Sequence, residues 1–371
     1  MRVDYWSLPA DLHAALTLRF GAAPTSAATQ PGGFSGGLAA RLTLSDGRAV
    51  FVKGCPERHP IIAQYEVEGW FGRKAREWWP PRVTGTGGAS TPGPSRELYA
   101  EPFPAPALWG ELDAAGWYVL VFEDIAGHDA DLSDPVDLAA CLTLFDRLSA
   151  APYPEAARSR VPPVAVSLGH LAAGWRRIAE EPPAYLDPWV RTHLAELVAL
   201  ETGWTAASHG DLPVHTDLHP GNVLVKPSPE AGSPRGTTGG IPGKAPGGPA
   251  HGTTGGPTRG TADGHEGLGN GRGAEAVAVD WTRPSAGAAW VDPLLFCLRD
   301  PAVHDLPPWF TERYALPAPV LHAFLAGAAG HWADAARLPA PAYAPGLRAY
   351  EAARAAKSLA WLRQAREDDR S

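Results

Sequence analysis

Apolar residues recur along the chain with two spacings, and each spacing predicts a different kind of element. Before about residue 122 they alternate in short runs: Leu38, Leu42 and Leu44 precede the turn Asp46-Gly47, and the stretch from Ala49 to Lys53 forms the return strand. Later in the chain they lie three or four positions apart, as on one face of a helix. Helices are predicted over 9–20, 59–77, 136–148, 168–178, 189–201, 290–298, 319–338 and 345–366.

The order of these elements predicts an α+β fold with two lobes, because a chain of 371 residues exceeds what one hydrophobic core usually holds. An N-terminal antiparallel sheet with its helix is followed by a mostly helical C-terminal lobe. Trp117 to Phe122 is a buried strand, and the short acidic connector Glu123-Asp124-Ile125-Ala126-Gly127 after it is a hinge. We therefore expect lobes over 1–122 and 128–371, joined by a hinge at 123–127.

A long interruption falls within the second lobe. Residues 227–273 consist mainly of Gly, Pro, Thr and Ser, and a segment with so few large apolar side chains cannot bury enough surface to offset its ordering entropy. We predict a disordered insertion there. The apolar runs on either side, Val223 to Val225 and Val277 to Val279, are expected to pair as a hairpin, which places Asn222 close to Asp280.

Composition narrows the class of protein. The net charge of −8 argues against nucleic acid as the main partner. Cys55, Cys141 and Cys297 are far apart and form no CxxC pair, so neither a disulfide framework nor a zinc finger is expected, and a cytoplasmic setting fits best. The N-terminus does not read as a signal peptide, and no apolar run approaches the roughly 18 residues of a membrane span. The oligomeric state stays open.

The densest polar chemistry lies in the run from His215 to Asn222, just before a buried strand. Its Pro-Gly pair predicts a tight loop that returns the Asn side chain toward Asp217. His215, Asp217 and His219 are residue types that bind Zn or Fe, so a metallohydrolase is one alternative. A serine hydrolase is not supported, because Gly33-Phe34-Ser35-Gly36 lacks the Gly-x-Ser-x-Gly spacing.

Phosphoryl transfer accounts for more of the chain. In kinases a catalytic-loop Asp is followed five residues later by an Asn that holds Mg²⁺, a second Asp also holds Mg²⁺, and a strand Lys contacts the nucleotide phosphates. Asp217, Asn222 and Asp280 occur in these positions, and so does Lys53. Glu66 lies on the helix that follows Lys53. The metallohydrolase alternative leaves Lys53 and Asp280 unexplained.

With these residues the chain resembles the aminoglycoside phosphotransferase family, small-molecule kinases that share the protein-kinase-like fold. The motifs that carry the resemblance are Gly32-Gly33-Phe34-Ser35, Asp46-Gly47 to Lys53, Tyr65-Glu66-Val67-Glu68, Pro81-Arg82-Val83, Val119 to Gly127, His215 to Val225 and Val279-Asp280-Trp281. The chain departs from the family pattern at Thr216, where Gly is usual, and at Leu148-Ser149-Ala150, where Leu-His-Ala is frequent.

The resemblance implies an enzyme that passes the γ-phosphoryl group of ATP, or of another nucleoside triphosphate, to a hydroxyl of a small molecule. Asp217 is expected to accept or orient the hydroxyl proton, while Asn222 and Asp280 hold Mg²⁺. His219 is expected to contact the γ-phosphate or brace the loop, and His215 to orient the loop by hydrogen bonds.

The resemblance also implies a nucleotide site. Lys53 is expected to contact the α- and β-phosphates, steadied by Glu66, with Glu68 as the second candidate for that pairing. Backbone amides of the glycine-rich turn cover the phosphates, and backbone groups of the hinge bind adenine. The residues assigned to the nucleotide are Lys53, Glu66, Gly33, Phe34, Ser35, Gly36, Glu123 and Ile125.

An upstream triplet, His209-Gly210-Asp211, matches the family's His-Gly-Asp better than the predicted loop does. However, Asp211 has Thr216 five residues on, which is a poor Mg²⁺ ligand, so catalysis is assigned to Asp217. The Gly-Asp-Pro usual after Asp-Trp is absent, and Asp292 is expected to anchor the loop structurally.

The acceptor stays open between an aminoglycoside, another sugar or amino alcohol, and a metabolite hydroxyl. Segments 165–205 and 300–366 are expected to select it. Four acids there either attract an amino sugar or are solvated surface charges; they are Asp300, Asp305, Glu312 and Asp334. The rival from another class is a catalytically silent nucleotide- or partner-binding protein on the same fold.

Overall fold

The computed structural model describes residues 2–30, 36–80, 102–227, 273–341 and 344–369. The strands are β1 (Pro24–Thr29), β2 (Leu38–Leu44), β3 (Ala49–Pro56), β4 (Leu108–Ala114), β5 (Trp117–Glu123), β6 (His128–Asp129), β7 (Leu212–Val214), β8 (Val223–Pro227), β9 (Ala274–Ala278) and β10 (Ser285–Gly287). The helices are α1 (Ala10–Phe20), α2 (Ile62–Trp78), α3 (Pro135–Ser149), α4 (Glu155–Arg158), α5 (Val164–Ser167), α6 (Gly174–Glu180), α7 (Pro188–Leu200), α8 (Val291–Arg299), α9 (Pro308–Tyr314), α10 (Ala318–Ala336) and α11 (Leu347–Asp368).

The N-terminal half is an antiparallel sheet of order β1-β2-β3-β5-β4, with a helix on each face. Side chains alternate along each strand, so Val119 and Val121 on β5 pack in the core that contains α1, while Leu120 and Phe122 pack in the core that contains Tyr65 of α2. The predicted hairpin of β2 and β3 is confirmed by its register. This half therefore presents one face of β3 to α2.

The C-terminal half is mostly helical and surrounds α10, which is buried along much of its length. Most predicted helices occur with ends within three residues of the expected positions. The helix predicted over 168–178 is instead a 3-10 turn (Gly169–Ala172) followed by α6, because Ala173 has an extended φ of −148°. A glycine pair allows α6 to approach α10, since a Cβ on Gly174 would lie 2.1 Å from the carbonyl carbon of Gly330. Together these halves confirm the predicted α+β fold, with an N-terminal antiparallel sheet followed by a mostly helical half.

The predicted hairpin between the runs before and after the insertion is also confirmed. β8 pairs antiparallel with β9, with Val223 opposite Ala278 and Val225 opposite Ala276. Asn222 accepts a hydrogen bond from Val279 N–H through its carbonyl, at 2.9 Å. The pairing therefore holds Asn222 next to the segment that carries Asp280.

Some predicted features lie outside the described residues. They are the insertion 227–273 apart from its end positions, the segment Pro81-Arg82-Val83, and Gly33-Phe34-Ser35 of the glycine-rich turn. Within the described ranges, no helix combines the length and apolar character that crossing a membrane requires.

Candidate active site

A cleft of about 940 Å³ lies between the sheet and the helical half. Its lining gathers residues from six separate segments of the chain: Gly36, Lys53, Glu68, Glu123, Ile125, Asp217, His219, Asn222 and Asp280. This volume falls in the range of small-molecule and cofactor sites. The structure thus brings together most of the residues that the sequence analysis selected. Of the glycine-rich turn, only Gly36 is among the described residues.

Lys53 projects from β3 on the face that meets α2. Its Nζ lies 2.7 Å from Glu68 Oε2 and also contacts Asp280 Oδ1, and the ring centroid of Tyr65 lies 5.3 Å away. The Lys53 and Glu68 side chains are only 9% and 6% exposed. Lys53 is therefore held between two carboxylates at the inner edge of the cleft.

The expectation that Glu66 pairs with Lys53 is wrong. Glu68 makes the ion pair, and Glu66 is exposed and does not line the cleft. Residues two positions apart on a helix point about 200° apart. Because α2 buries Tyr65, Glu68 and Phe71 against the sheet, Glu66 faces away from Lys53.

The electrostatics of this group reflect burial and the close carboxylates. Burial lowers the pKa of Lys53, but Asp280 and Glu68 outweigh it, and the pKa lies above its ordinary value. Burial raises the pKa of Glu68 to about 7 against the opposing influence of Lys53. Burial also raises the pKa of Asp280, yet the Lys53 ammonium outweighs it and the pKa is lowered. Lys53 is thus charged at neutral pH, with Asp280 as an anionic partner.

The backbone of the loop from His215 to Asp217 is held by the side chain of Asp292, in the first turn of α8. The Asp292 carboxylate accepts hydrogen bonds from the backbone N–H of His215 at 2.6 Å and of Thr216 at 2.9 Å. Thr216 has φ +65°, a left-handed conformation in which a β-branched residue is strained. Its hydroxyl donates to the carbonyl of Arg283 at 3.0 Å. These bonds hold Thr216 in a backbone conformation that Gly adopts without strain.

His215 is buried and its tautomer follows from its partners. Its Nε2 lies 2.8 Å from the carbonyl oxygen of Val279, so Nε2 carries the proton and donates it. Nδ1 then accepts the backbone N–H of Asp217, at 3.3 Å. Burial lowers the pKa of His215, which keeps the ring neutral. The ring thus links Asp217 to the segment before Asp280, as expected of a loop-orienting residue.

Asp217 lies in the cleft and is partly exposed. Its Oδ1 accepts a hydrogen bond at 2.8 Å from Arg299 Nη1, at the last residue of α8, and the Arg299 side chain is only 13% exposed. The Arg299 carbonyl is held in turn by the guanidinium of Arg354, at 2.5 Å. No pattern in the sequence pointed to Arg299, because its partner lies 82 positions earlier in the chain. One oxygen of Asp217 is therefore occupied by a buried cation.

Asn222 and Asp280 form a set of oxygen donors suited to a hard cation. The Asn222 amide nitrogen donates to the carbonyl of Asp217 at 3.0 Å, and its Oδ1 accepts no hydrogen bond from the described residues. Asp280 has φ +69°, which turns its side chain away from the strand direction. Mg²⁺ in nucleotide sites is usually bound by one or two such oxygens together with phosphates and water. The two residues fit that role.

Asp211, the alternative to Asp217, lies outside the cleft lining. Its carboxylate accepts a hydrogen bond from Arg158 at 2.7 Å, and its carbonyl accepts the N–H of Tyr153. His219 lies in the cleft with its imidazole beside Gly221, and burial lowers its pKa. Geometry thus favours the downstream Asp for contact with a ligand.

The hinge also borders the cleft. Arg41 of β2 forms an ion pair with Asp124 at 2.6 Å and donates to the carbonyl of Ile125. Glu123 accepts the N–H of Ala107 through its side chain, at 3.3 Å. The aromatic rings of Phe51 and Phe122 complete this end of the cleft. These two rings offer a flat base an apolar surface next to the charged groups of the predicted hinge.

Two other expectations can be compared with the structure. None of the four acids considered for an amino sugar lines the cleft, and Asp334 is paired with Arg177 at 2.5 Å. No group of three His, Cys, Asp or Glu side chains in the described ranges is arranged to hold a metal ion. His215, Asp217 and His219 therefore do not form the ligand set that a metallohydrolase would need.

Comparison with known proteins identifies a related family. Residues 95–233 match the model of the phosphotransferase enzyme family. No curated protein sequence matches the chain.

Several solved structures are similar to the chain. An aminoglycoside phosphotransferase from Alicyclobacillus acidocaldarius is 13% identical, with 93% of this chain and 92% of that chain covered and a TM-score of 0.44. A macrolide 2′-phosphotransferase from Brachybacterium faecium is 15% identical, with 93% and 88% covered and a TM-score of 0.45. A putative fructosamine-3-kinase from Haemophilus somnus is 9% identical, with 96% of both chains covered and a TM-score of 0.47.

The matched segment of the family model contains the hinge and the loop of Asp217. The predicted resemblance of this chain to the aminoglycoside phosphotransferase family is therefore confirmed, over the segment that the family model matches.

Proposed function

We propose that the protein is a Mg²⁺-dependent phosphotransferase that moves the γ-phosphoryl group of ATP to a hydroxyl of a small molecule. The observation that carries this proposal is the convergence of Lys53, Asp217, Asn222 and Asp280 on one cleft. Phosphoryl transfer needs little covalent help from the protein, so these groups have to position the reactants and balance charge.

Each residue has a distinct task in the proposed reaction. Asp217 uses the carboxylate oxygen that Arg299 does not occupy to accept the proton of the acceptor hydroxyl. The bond between the γ-phosphorus and the bridging oxygen breaks, a new bond from the acceptor oxygen forms, and ADP leaves. Asn222 and Asp280 would hold Mg²⁺, which when bound neutralises charge on the phosphates. Lys53 contacts the α- and β-phosphates.

The surrounding residues keep this arrangement in place. Asp292 and His215 hold the backbone of the loop, and Arg299 restrains the orientation of Asp217. His219 faces the cleft and either contacts the γ-phosphate or braces the loop. In this proposal residues 1–122 form the nucleotide lobe, 123–127 the hinge that binds adenine, and 128–371 the lobe that binds the acceptor. The proposed setting is the cytoplasm.

Transfer of phosphate from ATP to a panel of sugars, amino alcohols and hydroxy acids tests the proposal. Asp217→Ala should lower turnover by orders of magnitude while MgATP still raises the melting temperature, because the loss falls on the proton acceptor. Asp211→Ala is the matched control and should keep full turnover. The opposite pattern would transfer the catalytic role to Asp211.

A result in which MgATP binds but no compound is phosphorylated would support a catalytically silent nucleotide-binding protein instead. Metal analysis of the purified protein tests the remaining alternative, since stoichiometric Zn or Fe would indicate a metallohydrolase.

A further inference from the structure

Arg283 is a cation in the cleft that forms no ion pair with any residue of the described ranges. It lines the cleft together with Asp217 and His219, and its side chain is exposed. Its backbone is held, since its carbonyl accepts the hydroxyls of Thr216 at 3.0 Å and Ser285 at 3.2 Å. The guanidinium forms no hydrogen bond or ion pair with any residue in the described ranges. A guanidinium with free donors, carried on a held backbone, is suited to bind a carboxylate or phosphate.

Two histidines that do not line the cleft lie behind it on the segments expected to select the acceptor, and the charge of Arg283 acts on one of them, His170. The ring centroids of His170, in the 3-10 turn before α6, and His331, on α10, are 4.4 Å apart. Burial lowers the pKa of His170 to about 4, with Arg283 and Arg299 adding to the effect. Burial lowers the pKa of His331 to about 3, with His170, Arg177 and Arg299 adding to it. Both rings are neutral at pH 7 in a field dominated by arginines.

Four carboxylates in and around the cleft are already paired, whereas Asp129, which also lines it, forms no ion pair with a described residue. Asp217 is paired with Arg299, and Asp334 with Arg177. Glu68 and Asp280 share Lys53. Arg283 therefore adds to the cleft a positive charge that these pairs do not neutralise, and a guanidinium attracts an anion.

We propose that the acceptor is a hydroxyl compound that also carries a carboxylate or phosphate group, and that Arg283 binds this group. This inference rests on the proposed phosphotransferase function. The same guanidinium could be occupied by the γ-phosphate of ATP, so the experiment has to separate these two sources of anion.

Binding of four hexose derivatives provides the test, with glucose as the neutral probe, gluconate and glucose 6-phosphate as the anions, and glucosamine as the cation. Each is titrated calorimetrically into the full chain with Mg²⁺ and a non-hydrolysable ATP analogue present. We expect the two anions to bind at least tenfold more tightly than glucose, and glucosamine to bind most weakly. Arg283→Gln should abolish the preference without weakening binding of the ATP analogue, and Arg283→Lys should retain part of it.

Arg160→Gln is the matched control, because Arg160 is also exposed but lies outside the cleft lining. The inference is overturned if glucosamine binds as tightly as the anions, if neither anion binds, or if Arg283→Gln leaves the preference unchanged. Equal weakening of the anions and of the ATP analogue would assign Arg283 to the nucleotide.

Turnover separates this inference from the proposed function. Phosphate transfer without a preference for anions overturns only the substrate class. A preference for anions in an enzyme that transfers no phosphate overturns only the proposed function.

Discussion

Replacing Glu68 by Gln removes one of the two carboxylates that hold Lys53 and keeps the shape of the side chain. The Lys53–Glu68 pair is almost fully buried, at 9% and 6% exposure, so its attraction is opposed by a large desolvation cost. Lys53 also keeps its contact with Asp280, and the Gln oxygen can still accept a hydrogen bond. We therefore expect the free energy of unfolding to change by no more than ~1–2 kcal/mol.

The larger effect should fall on nucleotide binding. Without the Glu68 carboxylate, Lys53 is drawn toward Asp280 and away from the position in which it meets the phosphates. We expect Glu68→Gln to raise the Kd for MgATP about tenfold, which corresponds to ~1.4 kcal/mol. Glu66→Gln is the matched control, since Glu66 is exposed on the same helix. The Kd of this variant for MgATP should stay within about twofold of the wild-type value.

The pH dependence gives this prediction a second readout. Burial raises the pKa of Glu68 to about 7, so wild-type Glu68 loses its proton above that pH and takes it up below. A protonated Glu resembles Gln. The difference in Kd between wild type and Glu68→Gln should thus be largest at pH 8 and narrow at pH 6. Calorimetric titration of MgATP at both pH values measures it. If Glu66→Gln weakened MgATP binding as much as Glu68→Gln does, the reasoning would be refuted.

Three further predictions concern the loop and the acceptor side. Arg299→Met should lower kcat at least tenfold with little change in KM for ATP, because the orientation of Asp217 is lost while the nucleotide site is intact. Asp292→Ala should leave two backbone N–H groups without a hydrogen-bond acceptor. We expect the free energy of unfolding, measured with urea, to fall by ~2 kcal/mol. We expect kcat, measured by steady-state kinetics, to fall about a hundredfold. The pKa values of His170 and His331 in the folded state lie below the value in the unfolded chain. As the pH falls from about 6.5 to 4.5, the unfolded chain therefore binds more protons than the folded protein. The free energy of unfolding should fall in that window by ~1 kcal/mol per pH unit for each ring. The His170→Asn, His331→Asn double variant should lack this loss in urea unfolding at pH 4.5, 5.5 and 7.

Controls make each of these outcomes decisive. Arg299→Lys keeps the charge and should recover part of kcat, whereas an equal loss with Lys and Met would argue against a charge-based restraint on Asp217. Asp305→Ala is the control for Asp292, as Asp305 is exposed and away from the cleft, and equal destabilisation by both would contradict an anchoring role. For the histidines, an unchanged slope of stability against pH in the double variant would refute the assignment.

Local features of the site could be predicted because they depend on short stretches of chain. The spacing from Asp217 to Asn222 is covalent, and the Pro-Gly pair between them closes a tight loop, so the Asn222 amide lies 3.0 Å from the Asp217 carbonyl. The hairpin of β8 and β9 followed from two apolar runs and placed Asn222 beside Val279. A return strand that carries Lys53 likewise followed from alternation and a turn signal, although β3 continues beyond Lys53 to Pro56.

The orientation of helices and the pairing of distant residues could not be predicted in the same way. Glu66 and Glu68 are equivalent in sequence, and only the packing of α2 on the sheet turned Glu68 toward Lys53. Arg299 reaches Asp217 across 82 positions, which required α8 to be docked beneath the loop. Such contacts depend on how several elements pack together, and no short pattern encodes them.

What the sequence by itself determined was the kind of chemistry, because residue types at covalent spacings along one loop and its neighbouring strands limit which reaction they can support. What only the tertiary structure decided was the environment of that chemistry. The charge balance around Asp217, with Arg299 paired and Arg283 unpaired within the described ranges, results from packing segments that are far apart in the chain. Electrostatic interactions fall off over a few ångströms and depend on burial, so they are properties of the folded arrangement.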